Sequence, residues 1–294
     1  MVNLRNRSIR IFLSLQKRVQ RHASITFARR LTKWGEQLYS IPRDVRCEKV
    51  IRGELTYEWL IPPDVATERV IFFLHGGFVF PLTNPTRYLA SYLAKLAQMR
   101  VLLVDFRLAP ENSFPAAVED CAAAYRWLIS DGGVFPEQVS FVGESAGGNL
   151  AVTALLLLRD AGVALPNQAV LISPVVDFEG GGSFYLQNDP MADAKFVMLQ
   201  LNAYRGSANP RNPLLAPIHA NLQGLPPLLI QVGAEELLRS GAVELAERAE
   251  NAGVPTTLEI WPGMWHYWHI FVNSLPEAQQ AMLNINDFLQ SCSE

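Results

Sequence analysis

Short apolar runs alternate with longer amphipathic segments along most of the chain beyond residue 50. Several of the short runs contain no polar residue, as expected of strands that are covered on both faces of a sheet. The pattern predicts strands at residues 50–51, 55–61, 70–74, 101–104, 138–142, 169–172, 228–232 and 256–261. It predicts helices, with apolar positions every three or four residues, at 85–98, 115–130, 150–158, 240–252 and 276–291. Repeated strand–helix units predict an α/β fold with a mostly parallel central sheet flanked by helices on both faces.

Two segments do not follow this alternation. Apolar positions at helical spacing within residues 1–45 predict two amphipathic helices. Residues 178–218 contain three consecutive glycines, four prolines and one helical stretch at 194–204, and they are too long for an ordinary connection. We therefore predict a helical cap, formed by residues 1–45 and the insertion 178–218, on a core of residues 46–177 and 219–294.

Composition narrows the class of protein further. A hydrophobic content of 49% over 294 residues is enough for a large core, and no apolar run reaches the length of a membrane span. The three cysteines, Cys47, Cys121 and Cys292, are widely spaced and lack the spacing of metal ligands. They are expected to be reduced thiols, in a cytoplasmic protein without a metal or cofactor.

Positive charge is concentrated at the start of the chain. Residues 1–35 contain nine Lys or Arg residues and no Asp or Glu, whereas the remainder is acidic. The apolar core of this segment, residues 11–15, is too short for a signal peptide. The basic helices could form a lid, lie on a membrane surface or contact nucleic acid. The acidic remainder argues against nucleic acid, and we expect a lid rather than membrane contact.

The first candidate for chemistry is a Gly-x-Ser-x-Gly motif at residues 143–147, between a predicted strand and a predicted helix. This arrangement is typical of the nucleophile elbow of α/β-hydrolases, a turn so tight that the residues flanking the serine must be small. The elbow holds the hydroxyl above the sheet and directs the N-terminus of the following helix at the reacting carbonyl. We predict that Ser145 is a nucleophile.

A nucleophilic serine needs a base, which in this fold follows the serine in the sequence, with an acidic residue between them. Three histidines follow Ser145. His266 stands in the loop after the last predicted strand, where such folds gather their catalytic groups. His269, one helical turn further, is its rival, and His219 has the surroundings of a structural residue.

The acid is expected in the loop after the preceding strand, 228–232. Glu235 and Glu236 are adjacent there, so they point in different directions and only one can reach the imidazole. The residues alone leave the two at near parity.

A His-Gly-Gly-Phe segment at residues 75–78 follows the strand 70–74. Small residues allow backbone N–H groups to approach a ligand closely. Two such donors from this segment, with the N–H of Ala146, are predicted to form an oxyanion hole.

These motifs, taken in order, resemble the hormone-sensitive-lipase family of α/β-hydrolase esterases, the bacterial family IV carboxylesterases. The resemblance rests on residues 75–78, 105–111, 114–117 and 143–149 and on the segment around Glu236 and His266. It implies an α/β-hydrolase fold with Ser145 as nucleophile, His266 as base, Glu236 rather than Glu235 as acid, and Gly76, Gly77 and Ala146 as oxyanion donors. It also implies that residues 105–111 buttress the site, with Arg107 in a carboxylate pair, and that Glu144 has a structural role.

The activity implied is that of a serine carboxylesterase acting on short- to medium-chain acyl esters through an acyl-enzyme. A lactonase or an amide deacetylase would use the same residues. A membrane-surface lipase and a non-catalytic ligand receptor are further alternatives. The partner expected is a small ester rather than nucleic acid, and the resemblance also allows a homodimer.

Overall fold

An eight-stranded sheet forms the centre of the protein in the computed structural model, which describes residues 4–53, 55–180 and 189–291. Its strands are β1 Arg46–Arg52, β2 Leu55–Ile61, β3 Val70–Leu74, β4 Arg100–Asp105, β5 Val139–Glu144, β6 Gln168–Ile172, β7 Leu228–Gly233 and β8 Thr256–Trp261. They lie in the order β1-β2-β4-β3-β5-β6-β7-β8. β2 runs antiparallel to both of its neighbours, and the other neighbouring strands are parallel. The predicted fold class is confirmed.

Helices cover both faces of the sheet. They are α1 Leu4–Gln20, α2 Ile25–Gly35, α3 Asn84–Ala97, α4 Ala116–Ser130, α5 Ala146–Asp160, α6 Ala194–Arg205, α7 Arg239–Asn251 and α8 Pro276–Ser291. Buried side chains of α4, α5 and α7 belong to one hydrophobic core, and those of α3 and α8 belong to a second. β3 is apolar throughout because both of its faces are buried: Phe72 packs in the first core and Phe73 in the second.

Two element boundaries differ from the sequence prediction by more than two residues. β1 spans Arg46–Arg52 rather than residues 50–51, because it is an exposed edge strand whose polar side chains hide the strand pattern. α5 begins at Ala146 rather than residue 150. Gly147 and Gly148 have a low helix propensity and so conceal the first turn in the sequence, but close packing leaves no room for a side chain at either position.

The two predicted cap segments contain α1, α2 and α6. Residues 181–188 of the insertion 178–218 lie outside the described residues, and the division of the chain into core and cap stays a prediction. None of the helices in the described ranges combines the length and the apolar character needed to cross a membrane.

The cysteine prediction can be compared at two positions. Cys47 is an exposed free thiol and Cys121 a buried one. Burial raises the pKa of the Cys121 thiol well above its usual value, so this side chain behaves as a neutral core residue. Cys292 lies outside the described residues.

Candidate active site

Ser145 occupies the sharp turn between β5 and α5. Its φ of 53° and ψ of −112° lie outside the regions that side-chain-bearing residues ordinarily adopt. Backbone hydrogen bonds hold the turn in place. The Ser145 N–H donates to the Ile172 carbonyl at 2.8 Å, and the Ser145 carbonyl accepts from the N–H of Val175 at 3.1 Å. Such strain persists only where the surrounding structure imposes it, which is common at catalytic residues.

Two glycines make this turn possible. A Cβ atom on Gly147 would lie 1.9 Å from the Leu74 carbonyl oxygen, and one on Gly143 would lie 2.2 Å from the Gly147 carbonyl oxygen. The small residues that the motif predicts around Ser145 are therefore required by backbone packing. α5 starts at Ala146, so the N-terminal end of a 15-residue helix adjoins the serine.

His266 and Glu236 form a pair at the same edge of the sheet. They follow β8 and β7, whose carboxyl ends lie beside each other in the parallel sheet. His266 Nδ1 lies 3.3 Å from Glu236 Oε2, and the Glu236 side chain is fully buried while 14% of the His266 side chain is exposed. A carboxylate on Nδ1 leaves Nε2 as the nitrogen that can accept a proton.

Surrounding charges shift the pKa of His266 upward. Burial disfavours the charged imidazolium, but the hydrogen bond and charge of Glu236 outweigh it, with further support from the charges of Asp189 and Glu144. The pKa of His266 is therefore above its usual value of 6.5. The site stabilises the imidazolium that forms when His266 takes up a proton.

The serine hydroxyl makes no hydrogen bond to His266 within the described part of the chain. Catalytic hydrogen bonds are often long in the free enzyme and tighten when substrate binds. The structure brings Ser145 and His266 to one edge of the sheet, and Glu144, next to the serine, is close enough to raise the pKa of His266.

The rival residues from the sequence have other partners. Glu235 forms an ion pair with Arg10, outside hydrogen-bond contact with the imidazole. His269 is buried, and its Nε2 lies 2.8 Å from Gln231 Oε1. Burial lowers the pKa of His269 to about 3, which keeps the ring neutral.

The oxyanion loop departs from the sequence prediction at Gly76. The Gly76 N–H donates to Glu144 Oε1 at 3.1 Å and is thus already engaged. Within the described residues, the N–H groups of Gly77, Phe78 and Ala146 donate to no acceptor. The loop lies against the serine, since a Cβ atom on Gly76 would be 3.5 Å from the Ser145 Cβ.

Glu144 anchors this loop through its hydrogen bond with Gly76. Its side chain is buried, and Oε1 also accepts a hydrogen bond from the Thr86 hydroxyl at 2.9 Å. Burial raises the pKa of Glu144, although these hydrogen bonds oppose the shift. The contacts give Glu144 the structural position that the sequence resemblance implied.

Comparison with known proteins agrees with the fold. Residues 70–270 match the profile of a family described by the α/β hydrolase fold. An acetyl-hydrolase of Streptomyces hygroscopicus is 42% identical over 246 residues, which cover 82% of this chain and 81% of that protein. An esterase of Acinetobacter venetianus is 31% identical over 82% of this chain and 79% of its own length. A crystal structure of an esterase from the bacterial hormone-sensitive lipase family is 38% identical, with a TM-score of 0.93 and full coverage of both chains.

The chain belongs to the hormone-sensitive-lipase family of α/β hydrolases. It is a carboxylic ester hydrolase, as the sequence predicted.

Phe78 links the oxyanion loop of this hydrolase to the insertion. Its buried ring stacks on Tyr204 of α6, with ring centroids 3.9 Å apart and planes inclined by 5°. Its carbonyl accepts a hydrogen bond from the Ala109 N–H at 2.9 Å. This contact could not be predicted from the sequence, because an aromatic residue after two glycines does not reveal its partner.

A second contact that the sequence did not reveal joins α1 to the loop of the esterase that carries His266. Asp189 Oδ2 accepts the backbone N–H of His266 at 3.1 Å, and Lys17 Nζ donates to the Asp189 carbonyl at 2.6 Å. Arg10 donates to the Gly263 carbonyl at 3.2 Å, besides pairing with Glu235. α1 therefore contacts this loop directly through Arg10, and indirectly through Lys17 and Asp189.

α2 is attached by a different arginine. Arg29 makes a bidentate pair with Glu111 at 2.6 and 2.8 Å, and it donates to the carbonyls of Val79 and Ala109. The nearby Arg107 pairs with Asp120 at 2.7 Å, the kind of carboxylate pair that the family resemblance implied. The 105–111 segment thus connects α2 to the core.

One group of side chains elsewhere has the residue types of a metal site. The possible ligand atoms of Asp177, Glu179 and His219 lie within 4.8 Å of one another. Glu179 is exposed and pairs with Arg211 at 3.0 Å, so an arginine already neutralises the acidic charge there. We assign this group to a surface ion-pair network.

Proposed function

We propose that this esterase hydrolyses short- to medium-chain acyl esters through an acyl-enzyme on Ser145, with His266 as base and Glu236 as acid. The observation that carries the proposal is the buried Glu236 carboxylate on His266 Nδ1, at the sheet edge where the strained elbow presents Ser145. This reaction needs no cofactor. The serine and the imidazole carry out the proton transfers, and backbone N–H groups stabilise the oxyanion.

In the first half-reaction, Ser145 Oγ attacks the ester carbonyl carbon while His266 Nε2 takes the hydroxyl proton. Glu236 fixes the tautomer that leaves Nε2 free, and it stabilises the imidazolium. The C–O bond to the alcohol then breaks, and the alcohol leaves with the proton from His266. In the second half-reaction, water attacks the acyl carbon while His266 takes a proton from it; the bond to Ser145 Oγ then breaks, Oγ receives that proton from His266, and the acid is released.

For the oxyanion we propose the N–H groups of Gly77, Phe78 and Ala146. Of the predicted donors, Gly76 is replaced by Phe78, because the Gly76 N–H is bound to Glu144, whereas the Phe78 N–H meets no acceptor in the described part of the chain. Gly76 instead positions the loop. Removing one oxyanion donor typically costs about 10²–10³ in rate.

The chain-length part of the proposal is supported by the acetyl-hydrolase among the similar proteins. A panel of p-nitrophenyl esters from acetate to laurate should give the highest kcat/KM among the shorter acyl groups. Lactones and acetanilides in the same panel test the two alternative activities. A preference for laurate, for a lactone or for an amide would contradict this part of the proposal and leave the triad unaffected.

The test of the triad uses Ser145→Ala with p-nitrophenyl butyrate as substrate. Loss of one triad member in other serine hydrolases lowers kcat by about 10⁴-fold or more, and we expect the same here. Ser130→Ala, at the exposed end of α4, is the matched control and should keep full activity. Comparable activity in the two variants would refute the assignment of Ser145.

A further inference from the structure

The outer side of α1 carries an apolar stripe that no described residue covers. Leu13 faces inward and is 2% exposed. Ile11, Phe12, Leu15 and Val19 face outward and remain 48–58% exposed. The helix is thus apolar on two sides, and only one of them is used to pack against the protein.

α2 and the turn after it repeat this arrangement. Phe27, Leu31, Trp34 and Leu38 follow one another at intervals of three or four residues, and Trp34 and Leu38 are about 80% exposed. Eight of the fourteen large apolar side chains that the described residues expose lie between residues 11 and 38. Single exposed apolar residues are ordinary, but such a concentration marks an interaction surface.

Basic side chains accompany these stripes. Those that are exposed on the two helices and the turn between them include Arg7, Arg18, Arg21, Arg30 and Lys33, and the first 35 residues contain no acidic residue. A shallow groove of about 460 Å³ on α1 is lined by Arg7, Arg10, Ile11, Ser14, Leu15 and Arg18. Guanidinium groups and an apolar floor therefore lie side by side.

We propose that the outer surface of α1 and α2, made of the two apolar stripes and their exposed basic residues, binds an anionic lipid membrane. Basic amphipathic helices lie in the plane of such a membrane, with apolar side chains inserted and cationic ones at the headgroups. Each cationic residue near the surface strengthens binding about fivefold. The binding is peripheral, since none of the described helices crosses a membrane.

Other occupants fit this surface less well. A symmetric contact with a second copy would place two sets of basic residues against each other, with no acidic residue in the segment to pair them. Nucleic acid would use the charges but leave the apolar stripes uncovered.

The attachment of the helices to the esterase does not compete with membrane binding. Arg10, Lys17 and Arg29 point inward and make the contacts with the site loops. A membrane on the outer surface would therefore lie against the same helix, α1, that contacts the loop of His266.

The test is co-sedimentation of the full chain with phosphatidylcholine vesicles that contain or lack phosphatidylglycerol. We expect binding to the anionic vesicles at least tenfold tighter than to the neutral ones, because several basic residues contribute, and binding that weakens as salt is added. Equal binding to both vesicles, or no binding to either, would overturn the proposal.

Variants locate the surface. Trp34→Ser and Phe12→Ser should each weaken vesicle binding about tenfold through the lost apolar contact, and neither should change turnover of a soluble ester. The matched control is Phe135→Ser, which removes an aromatic ring that is 65% exposed elsewhere and should bind like the unmodified protein. Equal loss in the control would contradict the assignment. Sedimentation velocity provides a second check. A dimer of the unmodified protein that is dissociated by Trp34→Ser would also contradict the assignment.

Discussion

At the scale of single residues, the backbone and the side chain of one residue can serve different purposes in the site. Phe78 is the clearest example. Its N–H has no acceptor among the described residues, while its ring is stacked on Tyr204 and belongs to the core. A smaller residue in this position would keep the N–H and lack the ring contact. The two tasks can therefore be separated by mutation.

Phe78→Ala should lower the free energy of unfolding by about 3–5 kcal/mol, as expected for removal of a buried aromatic ring. Because alanine keeps the backbone N–H, the folded fraction should retain kcat within about tenfold of the unmodified enzyme, well short of the cost of a lost oxyanion donor. Urea unfolding and active-site-normalised kinetics give the two quantities. A collapse of kcat with unchanged stability would show that the ring, rather than the N–H, acts in the reaction.

The pH dependence of the esterase follows from the raised pKa of His266. The base must be neutral, so kcat/KM should fall as the pH drops through a value above 6.5, the ordinary pKa of histidine. Asp189 contributes to this shift through its charge and its contact with the His266 N–H. In Asp189→Asn the acidic limb should therefore move to lower pH.

The control for that experiment is Asp160→Asn, which changes an exposed carboxylate at the end of α5. Its acidic limb should coincide with that of the unmodified enzyme. If Asp189→Asn also left the limb in place, Asp189 would have no electrostatic role at the imidazole.

At the scale of elements, α1 packs beside the loop that carries His266. Its two inner contacts are made by Arg10 and Lys17, which are separated from their partners by 225 and 172 residues in the chain. Arg10 and Glu235 form a partly exposed ion pair, and such a pair contributes at most about 1 kcal/mol to stability. The Lys17 contact is a hydrogen bond to a backbone carbonyl. We expect both contacts to position the loop rather than to stabilise the fold.

Lys17→Met keeps most of the apolar stem and removes the bond to the Asp189 carbonyl. We expect kcat/KM for a soluble ester to fall about tenfold, because a small misplacement of a catalytic group is costly, with a melting temperature within a few degrees of the unmodified enzyme. Arg21→Met, on the exposed side after α1, is the control and should leave both unchanged. A loss of stability in Lys17→Met that matches the loss of activity would assign the contact to folding alone.

The sequence predicts the elements well where the pattern repeats locally. Residues 70–74 could be assigned to a buried strand because both sides of β3 are covered, and Ser145 could be placed because Gly143 and Gly147 are required beside it. The contact of Asp189 with His266 could not be predicted, since a single aspartate in a loop carries no periodic signal. The engagement of Gly76 by Glu144 was hidden for the same reason.

At the scale of the whole molecule, the sheet and its two cores enclose several ionisable groups that burial keeps neutral. Burial lowers the pKa of His75 to about 4 and that of His269 to about 3. In the unfolded chain both rings would take up protons below about 6.5. Their contribution to stability is therefore complete above pH 6.5 and is lost as the pH falls toward 4 and 3. The raised pKa values of buried Glu144 and Glu236 act in the opposite sense, because the folded protein takes up these protons before the unfolded chain does as the pH falls toward 4.5.

His269→Gln isolates this effect. The variant should be less stable than the unmodified protein at pH 8, because a buried contact with Gln231 is altered, yet it should lose less stability between pH 6.5 and pH 4. Urea denaturation at a series of pH values measures the difference. Parallel stability curves for the two proteins would mean that the His269 ring does not resist protonation in the folded state.

The central claim is that Ser145 is activated by His266 and Glu236. The most direct test is labelling with a fluorophosphonate followed by peptide mass spectrometry, since only an activated serine reacts with this reagent. We predict one adduct on the peptide that contains Ser145, none in Ser145→Ala, and strongly slowed labelling in His266→Ala. An adduct on a different residue, or labelling of Ser145 at an unchanged rate in His266→Ala, would contradict the account.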